Sequence, residues 1–330
     1  MLISGMGKGL LRRCWLLCLV FAILPAGCHN QSADNGLIHI TFQTDWYPQP
    51  EHGGFYEALL KGYYGKEGLD VTILPGGPYN NVEQQVATGA AEFGMSSSDR
   101  ILEADSQGEN LVAVGATMQF DPQAIMVHAD SPVHSFADLE GKTIAVKPGS
   151  TWFEYLRKRY NYKNLHEIPA TYSVANFLAD PNYIQQVFVT SEPFYVQQRG
   201  IKERTLLISD TGYSPYRVFF TSSSYLQQHP EIVAKFVRAS IRGWRNYMQD
   251  PSLVNAQLMK LNPAQQPAEM KFTWEALKSG HFVDGGNPAQ LGTMTAARWA
   301  QMYDQLKDLG LIQHPFAPAT GYTLKYCNAQ

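Results

Sequence analysis

The sequence predicts an α/β protein of two lobes that close on each other like a clamshell. Strand-like and helix-like segments alternate over residues 38–118, and the same alternation returns over about 122–210, which is typical of mostly parallel sheets. The chain then forms another strand and ends in four helical segments. It therefore leaves one lobe, builds a second and returns, which places two hinge crossings beside a cleft. We assign residues 38–120 and 217–330 to lobe 1 and residues 121–216 to lobe 2.

Each element has a local signal in the sequence. Alternating apolar and polar residues predict strands, continuous apolar runs predict strands buried on both faces, and Gly or Pro ends many of the segments. In lobe 1 these signals predict strands at 38–42, 69–74, 91–95 and 111–118, and helices at 54–66, at 82–88 and from 101. In lobe 2 they predict strands at 124–128, 143–146, 183–190 and 205–209 and a helix at 150–160. The returning chain carries a strand at 217–220 and helices at 231–248, 253–260, 267–278 and 288–309.

The first 28 residues have the pattern of an export signal. Three basic residues precede an apolar core at 15–23 that is too short to span a membrane. Small residues lead to Cys28, as lipoprotein processing requires, although Pro25 stands where a large apolar residue is usual. We expect a lipid on Cys28 that anchors the protein at the membrane, with plain cleavage as the alternative. Residues 29–37 then form a linker, and the protein works in the periplasm or at the cell surface.

Charge and cysteine content exclude several classes of function. Removing residues 1–27 leaves 23 basic and 29 acidic residues, a net charge of −6, so a nucleic-acid partner is not expected. Besides Cys28, the chain beyond the leader has one cysteine, Cys327, which provides neither a disulfide framework nor the spacing of a metal site. If Cys28 carries no lipid, a bond between these two cysteines is the alternative.

The loop after the first strand is the most informative part of the chain. Asp45, Trp46, Tyr47 and His52 lie there among prolines that restrict the loop and glycines that allow a sharp turn. In an α/β sheet, ligands bind beyond the carboxyl ends of the strands. The loop is therefore predicted to form one wall of a small-molecule pocket. Trp46 would stack on a flat ring, with Tyr47 or Tyr56 as a second face.

Other candidates lie at further strand ends and helix starts. Ser96 and Ser97 follow a strand, Gly149, Ser150 and Thr151 open a helix with free amides, Glu192 precedes a proline, and Tyr216 lies at the return crossing. Asp45 and Glu192 would accept hydrogen bonds from an exocyclic amine, one from each lobe. Each residue also has a structural interpretation, because the serines and threonine can cap helices, Glu192 can end a strand, and His52 can serve only the loop.

Several segments together resemble the solute-binding proteins of ABC importers in the thiamine-pyrimidine-synthase-like family. They are DWYPQPEHGGFY at 45–56, KGYYGKEGLDV at 61–71, VATGAAEFGMSS at 86–97, SFADLEGKTIAVKPGS at 135–150 and HPEIVAKFVRASIRGW at 229–244. The resemblance implies the type II periplasmic binding protein fold, a monomer and an ABC permease as partner. It implies a small heteroaromatic ligand, most simply a thiamine pyrimidine precursor of the hydroxymethylpyrimidine type. The alternatives are riboflavin and a small sulfonate or nitrate; a sulfonate would favour amides and an arginine over acids.

The same family contains synthases that make the pyrimidine from their own histidine and a lysine-bound pyridoxal phosphate, with iron and a cysteine-rich run. At the positions of that lysine and histidine this chain has Ser96 and Arg100, and residues 214–219 carry no cysteine. Without the amine no Schiff base forms, and without thiols the soft metal ligands are missing. We therefore predict a binding protein with no catalytic residues, no cofactor and no metal.

Overall fold

The computed structural model describes residues 36–326, within which ten strands form two five-stranded mixed sheets. The first sheet contains β1 (Ile38–Gln43), β2 (Leu69–Leu74), β3 (Phe93–Ser97), β4 (Leu111–Met118) and β10 (Arg217–Ser222), in the order β2-β1-β3-β10-β4. The second contains β5 (Gln123–His128), β6 (Thr143–Val146), β7 (His166–Pro169), β8 (Ile184–Phe188) and β9 (Glu203–Leu207), in the order β7-β6-β8-β5-β9. We call the first sheet with its helices the first lobe, and the second sheet with its helices the second lobe.

The two sheets share one design. Strands β1, β2 and β3 are parallel, and β10 runs antiparallel between β3 and β4. In the second sheet β6, β7 and β8 are parallel, and β5 runs antiparallel between β8 and β9. The chain passes between the sheets at residues 119–122 and again at 208–216. Two mixed α/β sheets joined by two crossovers confirm the predicted two-lobed fold class.

Twelve α-helices cover these sheets in the described part of the chain. They are α1 (Gly53–Leu60), α2 (Tyr63–Lys66), α3 (Val82–Ala87), α4 (Ser98–Ser106), α5 (Thr151–Tyr160), α6 (Ala175–Ala179), α7 (Glu192–Gln197), α8 (Ser223–Gln228), α9 (Pro230–Tyr247), α10 (Ser252–Leu261), α11 (Pro267–Ser279) and α12 (Ala296–Leu309). The predicted helix at 54–66 is thus two helices. Gly62 lies between them with φ +66°, a left-handed conformation that breaks a helix and that glycine adopts without strain.

The two glycines at the start of α1 have a different role from the predicted sharp turn. Gly53 and Gly54 form the first turn of α1 and let it pack closely against α9. A Cβ on Gly54 would lie 2.1 Å from Cγ of Trp244, and one on Gly53 would lie 2.2 Å from Cε1 of Tyr247. Both aromatic rings are almost fully buried in the first lobe's core. These glycines therefore permit a close helix–helix contact.

Three short elements of the second lobe have little signal in the sequence. Strand β7 is exposed along its length, and α6 buries one side chain, Phe177, so neither shows a clear hydrophobic period. The strand predicted at 183–190 ends at Phe188, and Glu192 begins α7 with Pro193 next to it, a favoured position for proline. Among residues 36–326 no helix has the length and apolar character needed to cross a membrane. The export signal, Cys28 and Cys327 lie outside the described residues.

Candidate functional site

A cavity of about 170 Å³ lies between the two sheets and is the candidate ligand site. The carboxyl ends of β3, β6 and β8 meet the amino ends of β5 and β10 there, which is where α/β sheets bind ligands. Both lobes and both crossovers line the cavity. The lining residues are Ser97, Asp99, Arg100, Asp121, Gln123, Lys147, Pro148, Gly149, Ser150, Thr151, Trp152, Gln186, Phe188, Ile208, Ser209, Tyr213, Pro215 and Arg217.

Asp45 is engaged by two neighbours within the protein. Its Oδ1 lies 3.0 Å from Nε2 of His52, and its Oδ2 forms a close ion pair with Nη2 of Arg217. Burial lowers the pKa of His52 to about 4, so the ring is neutral near pH 7 and Nε2–H donates to Asp45. Asp45 is not among the residues that line the cavity. Arg217 compensates the charge of Asp45, and it is Arg217 that lines the cavity.

An aromatic pair, Trp46 and Tyr172, connects the two lobes. The ring of Trp46 lies 5.0 Å from the ring of Tyr172, which follows β7, and 5.6 Å from the ring of Tyr47. Tyr47 is 49% exposed, whereas Tyr56 is 4% exposed within the first lobe's core. Tyr172 has φ +56°, a strained conformation for a residue with a side chain. The rings that contact Trp46 are therefore those of Tyr172 and Tyr47, whereas Tyr56, predicted as a second stacking face, lies in the core. The residues that line the cavity do not include Trp46, Tyr47, His52 or Tyr56.

Ser96 lies behind the cavity wall and holds a charged pair. Its Oγ donates to Oε1 of Glu83 at 2.5 Å, and the same carboxylate accepts from Nε and Nη2 of Arg100 at 2.8 and 3.4 Å. Burial raises the pKa of Glu83, but the charge and hydrogen bonds of Arg100 and the bond from Ser96 outweigh it, so that the pKa is lowered. Ser96 is 4% exposed, whereas Ser97 and Arg100 line the cavity. The serine thus orients the arginine through Glu83.

The helix start at α5 lies on the cavity, because Gly149, Ser150 and Thr151 all line it. Gly149 has φ +70°, which lets the chain turn from β6 into α5. Ser150 Oγ donates to the carbonyl of Lys147 at 2.7 Å instead of capping the helix. Thr151 Oγ1 donates to Oε2 of Glu103 in the first lobe at 3.0 Å. The wall therefore offers backbone amides while its threonine links the lobes.

Glu192 and Tyr216 lie next to the cavity without lining it. Glu192 accepts from the backbone N–H of Phe188 at 2.9 Å and faces a separate small recess. Burial, with smaller contributions from Glu51 and Glu269, raises the pKa of Glu192 to about 7. Tyr216 is 2% exposed, and the guanidinium of Arg298 lies 3.6 Å from its ring centroid.

The acids that line the cavity are Asp99 and Asp121, which the sequence reasoning did not select. Asp99 lies in the first turn of α4, and Asp121 lies in the first crossover. Lys147 and Gln186 were also missed. Polar residues flanking a predicted hinge were the available signal for Asp121, whereas nothing local distinguishes Gln186 within its strand.

The fold and this cleft define the class of two-lobed type II binding proteins. The chain belongs to the NMT1/THI5-like family, whose sequence profile matches residues 49–253. It is similar to the riboflavin-binding protein RibY of Chloroflexus aurantiacus, at 24% identity over 319 residues, 92% of this chain and 90% of that protein. It is 26% identical over 331 residues to the formylaminopyrimidine-binding protein of Halalkalibacterium halodurans, which covers 92% and 98% of the two chains.

Solved structures share the fold at lower identity. The alkanesulfonate-binding protein SsuA from Xanthomonas axonopodis pv. citri, bound to MOPS, superposes with a TM-score of 0.63 at 17% identity, covering 88% of this chain and 99% of that one. Enzymes are also among the relatives. A 4-amino-5-hydroxymethyl-2-methylpyrimidine phosphate synthase of Aspergillus parasiticus is 21% identical over 313 residues, 87% of this chain and 86% of the enzyme.

Proposed function

We propose that this protein is the exported solute-binding component of an ABC importer and that it carries a small heteroaromatic ligand of the hydroxymethylpyrimidine type. The observation that carries the proposal is the cleft cavity built from both lobes and both crossovers. A ligand that contacts both walls favours the closed state over the open one by the difference in its contacts. Ligand-driven closure is what a carrier needs to signal loading to its permease.

The size of the cavity favours a single ring. Sites for drug-sized ligands occupy about 300–1,000 Å³, and this cavity has about 170 Å³. A pyrimidine with small substituents fits such a space, whereas the three fused rings and sugar alcohol of riboflavin would require the lobes to separate further. Riboflavin is therefore the second candidate, carried by the similarity to RibY.

The polar lining favours a ring with both donors and acceptors. Arg100, Lys147 and the amides of Gly149 and Thr151 offer donors, and Asp121 offers an acceptor. The charge of Asp45 is compensated by Arg217, and Glu192 faces another recess. These two acids would therefore not repel a sulfonate in the cavity. Asp99 and Asp121, which do line the cavity, disfavour a sulfonate, because two carboxylates beside it would repel it.

Chemistry of the synthase type is not favoured by the geometry. At the synthase lysine position, Ser96 is buried and donates to Glu83, so no amine faces the cavity there. At the histidine position, Arg100 is held by the same glutamate. Within residues 36–326 no group of three or more His, Cys, Asp or Glu side chains is arranged to hold a metal ion. We infer a carrier without catalysis, exported by its leader and tethered by a lipid on Cys28.

Calorimetric titration of residues 30–330 with hydroxymethylpyrimidine and with its formylaminomethyl relative tests the function. Binding at micromolar affinity or tighter, with both compounds recovered unchanged, is expected. Trp46→Ala should weaken this binding, and Trp46→Phe should retain most of it. Flat titrations with both pyrimidines would refute the pyrimidine proposal, and riboflavin and a small alkanesulfonate are the next compounds. Turnover of either pyrimidine would refute the carrier.

A further inference from the structure

The two carboxyl groups that line the cavity differ in how their oxygens are used. In Asp99, Oδ1 accepts from the backbone N–H of Arg100 at 3.0 Å and Oδ2 accepts from the hydroxyl of Tyr213 at 2.7 Å. In Asp121, Oδ1 accepts from the backbone N–H of Gln123 at 3.0 Å. Oδ2 of Asp121 lies 3.6 Å from Nη1 of Arg217, beyond hydrogen-bond distance, and no described residue donates to it. Asp121 therefore has an acceptor left for a ligand.

The charge of Asp121 is incompletely compensated. Its cationic neighbour, Arg217, also forms the close ion pair with Asp45, so one guanidinium serves two carboxylates. Asp121 is 8% exposed, and a mostly buried carboxylate is stabilised by each hydrogen-bond donor that it gains. Burial and the nearby Asp99 raise the pKa of Asp121 to about 7. The surroundings thus provide Asp121 with a fixed orientation and leave room for one more donor.

The lining of the cavity also supplies donors. Arg100 and Lys147 carry only donors on their side chains, and the start of α5 adds backbone N–H groups. A ring in the cavity can therefore direct its acceptors to these donors and an N–H group to Asp121. Because Asp121 lies in one crossover and Arg217 directly after the other, this contact lies at the hinge.

We propose that Asp121 is a specificity-determining residue that accepts a hydrogen bond from an N–H group on the rim of the ligand, so that the site selects amino-substituted rings over their oxo counterparts. This inference rests on the proposed function, because it specifies which edge of the carried ring is recognised. An oxo group at this place would set two acceptors against each other. Rigid sites that bond a ligand N–H bind analogues that lack it more weakly by factors of about 10⁴ or more. Because the hinge around Asp121 can move to relieve the unfavourable contact, we expect the affinity for the amino compound to exceed that for the oxo compound by at least about 100-fold.

The experiment compares two pyrimidines that differ only in a 4-amino or a 4-oxo group, titrated into the wild type, Asp121→Asn and Asp99→Asn. The wild type is expected to prefer the amino compound by at least about 100-fold. In Asp121→Asn the carboxamide can turn its NH₂ toward a carbonyl, so the preference should fall below about tenfold. Asp99→Asn is the matched control, since it should weaken both compounds alike and keep their ratio. An unchanged ratio in Asp121→Asn, or a wild type that prefers the oxo compound, overturns the inference.

Failure of the proposed function has a different signature. If the wild type binds neither pyrimidine but binds riboflavin, the pyrimidine proposal fails. The comparison is then between riboflavin, which has a ring N–H, and its N3-methyl derivative. A preference for riboflavin that Asp121→Asn abolishes supports the role of Asp121, and a preference that the variant keeps overturns it. If none of the four compounds binds, both proposals are overturned.

Discussion

Replacing Gly54 with alanine tests the helix contact that supports the site loop. Helix α1 directly follows that loop, and Gly54 faces the buried ring of Trp244 on α9. The new Cβ would lie 2.1 Å from Cγ of the ring, where no ordinary contact exists, and the carbonyl of Gly54 already faces Gly243 closely enough that a Cβ there would lie 2.1 Å from it. The backbone of Gly54 is helical, so alanine itself brings no conformational strain and the effect is steric.

The expected magnitude follows from two opposing terms. Overpacking a well-packed core costs about 1–3 kcal/mol, and the rigid, 2% exposed Trp244 places this site near the upper end. Alanine regains roughly 0.5–1 kcal/mol of helix propensity. The net loss in the free energy of unfolding is about 2 kcal/mol, which lowers the midpoint of thermal unfolding by about 4–8 °C for a domain of this size.

Gly65→Ala is the matched control for this experiment. Gly65 lies in α2, and a Cβ there would meet nothing within 4 Å, so the same substitution should stabilise by roughly 0.5–1 kcal/mol. Urea unfolding of both variants, followed by circular dichroism, gives the two free energies. A Gly54→Ala protein as stable as the wild type would refute the close packing of α1 on α9.

Further predictions concern ligand binding and pH. Trp46→Ala should weaken ligand binding by about tenfold or more, since it removes the contact between the lobes that Trp46 makes with Tyr172, and an aromatic pair contributes on the order of 1 kcal/mol beyond the area it buries. Calorimetry measures this, and unchanged affinity would refute a role of the pair in closure. Ser96→Ala removes one hydrogen bond from buried Glu83 and should cost about 1–2 kcal/mol of stability in urea unfolding; a variant as stable as the wild type would refute this contribution of the bond to Glu83. Burial holds the pKa of His52 near 4 instead of 6.5, so neutral His52 contributes stability above pH 6.5 that is lost as the pH falls toward 4. The stability of His52→Gln relative to the wild type should therefore increase as the pH is lowered from 6.5 to 4. The pKa of Glu192 is raised from 4.5 to about 7, so protonated Glu192 contributes stability below pH 4.5 that is lost as the pH rises through 7. The stability of Glu192→Gln relative to the wild type should therefore increase as the pH rises from 4.5 to 7. For either residue, stability–pH curves of variant and wild type that run parallel would contradict the shifted pKa.

Much of the architecture could be predicted because its causes are local. Alternating residues at 38–42 and 69–74 bury one face when they form strands, and the continuous apolar run at 111–118 is typical of a strand buried on both faces. The positions of the turns then determine how the strands follow one another. For the same reason the start of α5 could be placed at the ligand cavity, since Pro148 and Gly149 mark the end of a strand and the start of a helix.

The division of labour among the polar residues was decided by tertiary structure. Asp45 appeared from its loop to be free for a ligand, yet Arg217, distant in the chain, pairs with it. Ser96 and Arg100 lie four residues apart where β3 leads into α4. Glu83 binds both side chains, but only the arginine lines the cavity. Tyr172 meets Trp46 from the other lobe, and neither neighbourhood in the sequence indicates the other.

What the sequence by itself determined is therefore the two-lobed α/β fold, the family and the strand ends that surround the cleft, because hydrophobic period and turn residues act over a few positions. Which carboxyl group keeps a free oxygen was decided only when the crossovers brought Asp121, Arg217 and Asp45 together. Burial and ion pairing act through space, so a residue's availability to a ligand depends on partners that its local sequence does not contain.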